Sequence, residues 1–165
     1  RLGTGENVGG RHVGIGHGIY HSSDAGKSWK NMGLKNSEHI SKIIVHPNNP
    51  NVIWVAAQGP LWSSGGDRGL FKSMDGGKTW ENKLEINEWT GVTDLVINPE
   101  NPNILYLASW QRHRNVAALM DGGPGTALYK SVDGGENWEV IVPDGGYQDD
   151  SVVGLDNEPG YTGVS

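Results

Sequence analysis

One eight-residue pattern, Ser-x-Asp-x-Gly-x-x-Trp, stands three times in this chain of 165 residues. The copies are SSDAGKSW at 22–29, SMDGGKTW at 73–80 and SVDGGENW at 131–138. They begin 51 and then 58 residues apart. A second element recurs between them: VHPNNPNVIWVAA at 45–57 returns as INPENPNILYLAS at 97–109, an offset of 52 residues. Two elements recurring in phase mean one supersecondary unit used repeatedly, each copy burying its faces against its neighbours.

The unit is built of strands. Glycine supplies 26 residues and proline 8, and the longest stretch free of both is 103–121. Helices average about 11–12 residues, so a helical bundle has almost no room. Each period divides into four short strand candidates. They are 40–46, 52–57, 69–73 and 79–84 in one unit, and 92–98, 104–109, 127–131 and 137–142 in the next. Prolines 47, 50, 99 and 102 mark the turn between the first two strands, and Asp-Gly-Gly steps mark the turn between the last two. Consecutive apolar residues at 43–45 and 95–97 predict strands covered on both faces. Four antiparallel strands per repeat of this length form the blade of a β-propeller, so the predicted fold is all-β, a partial β-propeller. The predicted organisation is a blade part at 1–34, full blades at 35–86 and 87–143, and the start of a further blade at 144–165. Propellers close with roughly four to eight blades, so the chain reads as a segment of a larger ring. A β-sandwich of short strands would leave the repeat unexplained.

The octapeptide supplies turn chemistry. A short Asp side chain accepts backbone N–H groups two residues on, and the glycine takes a positive φ without penalty. The Ser hydroxyl adds a bond to the turn, and the Trp opens the next strand and buries its ring against the neighbouring unit. The structural set is Ser22, Asp24, Gly26 and Trp29; Ser73, Asp75, Gly77 and Trp80; and Ser131, Asp133, Gly135 and Trp138. It contains no nucleophile with its base.

This octapeptide resembles the Asp-box, or BNR repeat, of sialidases, xyloglucan-cleaving glycoside hydrolases, a photosystem II assembly factor and the sortilin ectodomain. The wider pattern includes GTGEN at 3–7, GRHVGIGHGIYHSSDAGKSW at 10–29, KNSEHISKIIVHPNNP at 35–50 and AAQGPLWSSGGDRGLFKSMDGGKTW at 56–80. It is most similar to the bacterial sortilin N-terminal-domain-like proteins, often labelled glycosyl hydrolase BNR-repeat proteins. The first box has Ala25 where the others have Gly, and the third has Glu136-Asn137 where the others have Lys-Ser or Lys-Thr. The resemblance implies a propeller and favours an extracellular or periplasmic setting. A sialidase implies an Arg-Ile-Pro element as well, which does not occur in this chain.

In a blade, the loop after strand three lies at one end of the sheet and the loop after strand two at the other. The strand two–three loops at 5–17, 58–68 and 110–126 therefore form the surface opposite the boxes. They hold the candidate ligand-binding residues Arg11, His12, His17, Trp62, Arg68, Trp110, Arg112, His113 and Arg114. Loops on a rigid scaffold carry binding sites. Arginine suits carboxylate or phosphate, and exposed tryptophan stacks on sugar rings or peptide side chains.

Several classes are disfavoured. The formal charge is −6 with no basic block, which argues against nucleic-acid binding. No apolar run reaches the length of a membrane span, and the absence of cysteine removes disulfides and thiolate-held metals. The histidines at 12, 17 and 113 show no metal-ligand spacing, and Asp144, Asp149 and Asp150 lack the spaced pattern of a calcium loop. Neither a cofactor nor a catalytic residue is predicted. The glycine-rich stretches lack the Lys-Ser/Thr of a phosphate loop. Glu6, Glu38 and Glu88 fall in or near loops. The leading expectation is a non-catalytic scaffold or binding module for a protein or glycan ligand, flanked by the remaining blades of its own ring or by a second copy. The alternative is a fragment of a glycoside hydrolase propeller, xyloglucanase- or sialidase-like, acting on polysaccharide.

Overall fold

The computed structural model describes residues 1–6, 13–117 and 119–143, and they contain strands and turns but no helix. The strands are β1 (Leu2–Gly3), β2 (Ile19–His21), β3 (Lys30–Asn31), β4 (Ile40–Val45), β5 (Ile53–Ala57), β6 (Gly69–Ser73), β7 (Glu81–Leu84), β8 (Thr90–Ile97), β9 (Leu105–Arg114), β10 (Leu119–Asp121), β11 (Ala127–Ser131) and β12 (Glu139–Pro143). All neighbours pair antiparallel. β1–β3 form a three-stranded sheet and β4-β5-β6-β7 a four-stranded one. In the last sheet β8, β9, β11 and β12 repeat that order, and β10 pairs with the far half of β9. This is a partial β-propeller, its sheets stacked face to face. The further blade expected at 144–165 lies outside the described residues.

The period-two geometry of a strand decides where the core sits. In β5 and the residue before it, Ile53, Val55 and Ala57 join Ile19, Leu34, Ile40 and Phe71 in one apolar cluster. Val52, Trp54 and Ala56 point the other way, into a second cluster with Leu70, Val92, Leu95, Leu105, Leu107 and Tyr129. The middle sheet is thus sandwiched, which is why β5 and β6 are buried along their whole length. The expectation of strands covered on both faces holds less well for the apolar runs. Val45 is exposed at the end of β4, and Val96 is exposed because the outer face of the last sheet has no described sheet against it.

The strand two–three loop expected at 110–126 is not one. β9 continues through Trp110, Arg112, His113 and Arg114, turns, and returns as β10 over Leu119–Asp121. Alternation gives the reason: Arg112 and Arg114 point inward and are buried, while Gln111 and His113 are half-exposed. A period-two pattern whose inward residues are arginines does not read as apolar alternation.

Candidate functional site

The two ends of the sheets differ in chemistry. At one end the octapeptide turns pack beside the proline turns. Gly76 donates its backbone N–H to the Asn51 carbonyl and Gly134 to that of Asn103, each at 2.9 Å. In every octapeptide the Ser hydroxyl donates to the Asp carboxylate at 2.8 Å and accepts the N–H of the glycine four residues on. The Asp reaches further than an Asx-turn two residues on. Asp24 accepts the backbone N–H of Ser28 four residues ahead, and Asp75 and Asp133 accept two N–H groups each, three and four residues ahead. The other carboxylate oxygen takes the side chain of Ser28, Thr79 or Asn137 at 2.6–2.7 Å. Asn137 therefore substitutes for the hydroxyl without loss of the bond. Stabilising the anion this way lowers each carboxyl. The Ser28 hydroxyl is the main cause for Asp24, which is brought to about 2, and backbone N–H groups are the main cause for Asp75 and Asp133. These carboxylates are consumed by the turn and are unsuited to proton transfer.

Each indole lies over the glycine three residues before it in its own octapeptide, Gly26, Gly77 or Gly135, and the second and third also reach the preceding sheet. Trp80 also packs against Gly33 and donates to the Met32 carbonyl at 2.7 Å, both at the end of the first sheet. The third turn is gripped from the middle sheet: Trp54 and Lys72 donate to the Gly134 carbonyl, and Lys72 and Lys83 pair with Glu136 at 2.7 Å. The departure at position 136 is thus an inter-sheet ion pair.

The opposite end carries the candidate site. A cleft of about 360 Å³ opens there between the first two sheets. Ile15, Gly16 and His17 from the β2-side loop form one wall, Lys35, Asn36 and Glu38 from the β3–β4 connection form the floor, and Pro60, Ser63, Ser64 and Gly66 from the β5–β6 loop form the other wall. The walls are tied together. Gly16 donates to the Glu38 carbonyl at 2.7 Å, and Asn36 and Asp67 exchange two bonds at 2.8 and 3.1 Å.

The sequence-derived candidates divide between lining and framework. His17 lines the cleft. Trp62 is half-exposed in the loop that forms its second wall. Arg68 is buried and donates to four carbonyls of its own loop, those of Gln58, Pro60, Ser63 and Gly65. Desolvation brings its pKa down to about 10. Arg112 is buried against the Trp110 ring, 4.8 Å from its centroid, and donates to the Gln58 amide oxygen at 2.6 Å. Arg114 lies 3.9 Å from Asp121, and its backbone N–H reaches the Leu61 carbonyl. These three guanidinium groups, expected at the surface, are framework. His113 packs against Trp89 with ring centroids 3.9 Å apart and planes tilted by 34°, half-exposed and apart from the cleft lining. Arg11 and His12 lie outside the described residues, as do Asp144, Asp149 and Asp150. Among the described residues no group of three or more His, Asp or Glu is placed to hold a metal.

Lys35, Asn36, Ser63, Ser64 and Trp89 were not singled out from sequence, and Glu38 only as a loop carboxylate. The polar run KNSEH at 35–39, between Leu34 and Ile40 of one core cluster, is the signal that marks Lys35, Asn36 and Glu38, while Ser63, Ser64 and Trp89 carry no such signal. His39, fully buried behind the floor, has no hydrogen-bond partner on either ring nitrogen among the described residues. Burial and the Arg112 charge lower its pKa against the opposing pull of Glu38 and Glu6.

Comparison with known proteins fits this architecture. A "Probable oligoxyloglucan-reducing end-specific xyloglucanase" of Neosartorya fischeri is 29% identical over 131 residues, covering 77% of this chain and 13% of the relative. The crystal structure of an ancestral GH74 enzyme superposes with a TM-score of 0.57 at 25% identity, covering 79% of this chain and 16% of that one. The chain thus spans under a fifth of either protein's length. Residues 17–146 match the family described as "Sortilin, neurotensin receptor 3", and the chain belongs to this Sortilin-Vps10 family of β-propellers.

Proposed function

We propose that this chain is part of a propeller that binds a glycan at the sheet ends opposite the octapeptide turns, and that it acts there as a binding module without catalysis of its own. The observation that carries the reading is the cleft at 15–17, 35–38 and 60–66, whose walls are cross-tied before any ligand arrives. Its volume lies within the roughly 300–1,000 Å³ usual for small-ligand sites. Ile15 and Pro60 offer apolar surface beside hydroxyl, amide and carboxylate groups, which matches a sugar ring with its apolar faces and hydroxyl rim. The xyloglucanase relative supports a saccharide over a peptide. Titration calorimetry with a panel of neutral and acidic oligosaccharides, run beside an assay of reducing-sugar release, tests the reading. Binding without turnover is expected.

A second reading is a hydrolase segment. The activity in the relative's name favours it, and Glu38 in the cleft floor and Glu6, bonded through its backbone to Gly14 beside the cleft wall, supply the candidate carboxylates. Glycosidases work with a carboxylate pair about 5–10 Å apart. Reducing-sugar release abolished by Glu6→Gln or Glu38→Gln, with the fold intact, would establish this reading and refute the first.

A further inference from the structure

The floor of the cleft contains one residue whose conformation is unfavourable for its type. Glu38 has φ = 53°, in the left-handed region where a side-chain-bearing residue is strained. No hydrogen bond holds its carboxylate among the described residues; the His39 ring lies 3.9 Å from it, beyond hydrogen-bond distance. The residues on either side, Ser37 and His39, are fully buried with side-chain polar atoms unpaired. A glycine at this position would relieve the backbone, and a hydrophobic residue would lose nothing in the turn. The chain instead keeps in the cleft a carboxylate that has no hydrogen-bond partner among the described residues. Its backbone is pinned on both sides: the Glu38 carbonyl accepts from Gly16, and the His39 N–H turns back to the Ser37 carbonyl.

We infer that Glu38 is the residue by which the cleft selects its ligand, a neutral sugar whose hydroxyls donate to this carboxylate. The inference rests on the glycan reading above and narrows it to a substrate class. A free carboxylate is an acceptor only, with room for about four hydrogen bonds, and neighbouring sugar hydroxyls supply donors at the matching spacing. Asn36, Ser63 and Ser64 complete a mixed set that can both donate and accept around the ring. Lys35 balances the Glu38 charge within the lining, so the cleft has no excess charge of either sign. Arg68, the cation that could have welcomed a uronate, is spent on four carbonyls behind the wall. An acidic sugar would bring a second carboxylate beside Glu38, where the guanidinium whose charge reaches it, Arg68, already has its bonds committed to the loop carbonyls.

The experiment compares wild type, Glu38→Gln, Glu38→Gly and the control Glu85→Gln, Glu85 being an exposed carboxylate outside the cleft lining. The probes are a neutral xyloglucan oligosaccharide and an oligogalacturonide of equal length, followed by calorimetry, and thermal melts are run on the same proteins. Wild type and the Glu85→Gln control are expected to bind the neutral probe alike and the acidic one at least tenfold more weakly. Glu38→Gln is expected to lose roughly tenfold or more in affinity for the neutral probe, the scale of a hydrogen bond to a charged acceptor. Glu38→Gly is expected to bind as poorly while melting no lower than wild type, because removing left-handed strain opposes any loss of contacts. A residue kept for folding alone would show the reverse, a lower melting temperature with binding retained in the survivors. Neutral binding that is unchanged in Glu38→Gln overturns the role of Glu38 and leaves the glycan reading intact. Equal or tighter binding of the acidic probe overturns the charge selection. Failure of wild type to bind either probe removes the glycan reading itself, and this inference with it.

Discussion

Replacing Trp80 and Trp29 in turn separates the two jobs of the octapeptide tryptophan. Both indoles lie over a glycine of their own turn, but only Trp80 has a described sheet behind it, packing on Gly33 and bonding the Met32 carbonyl. Trp29 is 47% exposed, and its N–H goes to the Gly26 carbonyl in the same turn. Truncating a fully buried tryptophan costs about 3–5 kcal/mol. Trp80 is only partly buried, so the low end applies, with the lost hydrogen bond of about 1 kcal/mol already inside it. We expect Trp80→Ala to cost roughly 3 kcal/mol and Trp29→Ala roughly 1 kcal/mol. With a urea slope of about 2 kcal/mol per molar, the difference separates the two midpoints by about 1 M. Urea titration followed by far-UV circular dichroism reads this without depending on the tryptophans removed. Trp80→Phe keeps most of the apolar contact and drops the donor, so its midpoint should fall by about 0.5 M. Equal shifts for Trp29→Ala and Trp80→Ala would refute the claim that the indole staples one sheet to the next. An unchanged midpoint in Trp80→Phe would refute the contribution of the Met32 bond.

Other perturbations test separate joints of the fold. Ala25 sits at φ = 59° where the other two turns have glycines at 79° and 74°; Ala25→Gly should raise stability by up to about 1 kcal/mol in the same titration, the relieved strain exceeding the added freedom of the unfolded chain. Gly91 leaves no room for a Cβ against the backbone of Gln58, so Gly91→Ala should cost about 1–3 kcal/mol and weaken ligand binding by shifting the β5–β6 loop. The Glu136 carboxyl is held below the usual carboxylate range, first by the Lys72 hydrogen bond and then by that of Lys83. A depressed carboxyl stabilises the fold fully above its unfolded pKa and progressively less as pH falls through the folded one. Melting temperature should therefore drop as pH is taken from about 6 toward 3, and Glu136→Gln should flatten part of that slope by lowering the melting temperature at neutral pH, where the ion pairs are fully formed, while leaving the acid side nearly unchanged.

The fold was legible because its signals are local and repeated. Serine, aspartate, glycine and tryptophan at fixed spacing specify a turn through bonds made within eight residues, and the prolines at 47, 50, 99 and 102 punctuate the turn that packs beside it. Strand positions followed from those turns. The end of the sheets carrying the candidate site was legible too, since alternate loops of an antiparallel sheet must emerge at opposite ends. The partners of individual side chains there were not. Arg68 reads as a surface cation in the sequence GGDRG, and only the path of the loop reveals four carbonyls converging on it. The extension of β9 was hidden for the same reason, because its inward positions carry Arg112 and Arg114 where pattern reading looks for apolar residues. Glu38 was noticed as a loop carboxylate, but its strain and its place in the cleft floor depend on three segments meeting: 15–17, 35–38 and 60–66.

The buried arginines explain how the two ends can differ so much. At the octapeptide end every turn satisfies its own backbone with a nearby Ser and Asp, so the same short solution serves three times. At the other end the loops are long and irregular, and a buried irregular loop leaves carbonyls that no ladder can satisfy. A guanidinium carries five donors in a rigid fork and can close several such carbonyls at once. Arg68 does this for the β5–β6 loop, and Arg112 anchors that loop to the next sheet through Gln58. The loop is then held by side chains beneath it, which leaves the residues at its surface, Ser63, Ser64 and Trp62 among them, free of structural duty. Such an arrangement lets the cleft lining change chemistry from one blade to another while the stacked sheets stay the same. Under the proposed glycan reading, selectivity at this cleft then falls to the few groups, Glu38 foremost, whose hydrogen-bonding capacity the fold has left unused.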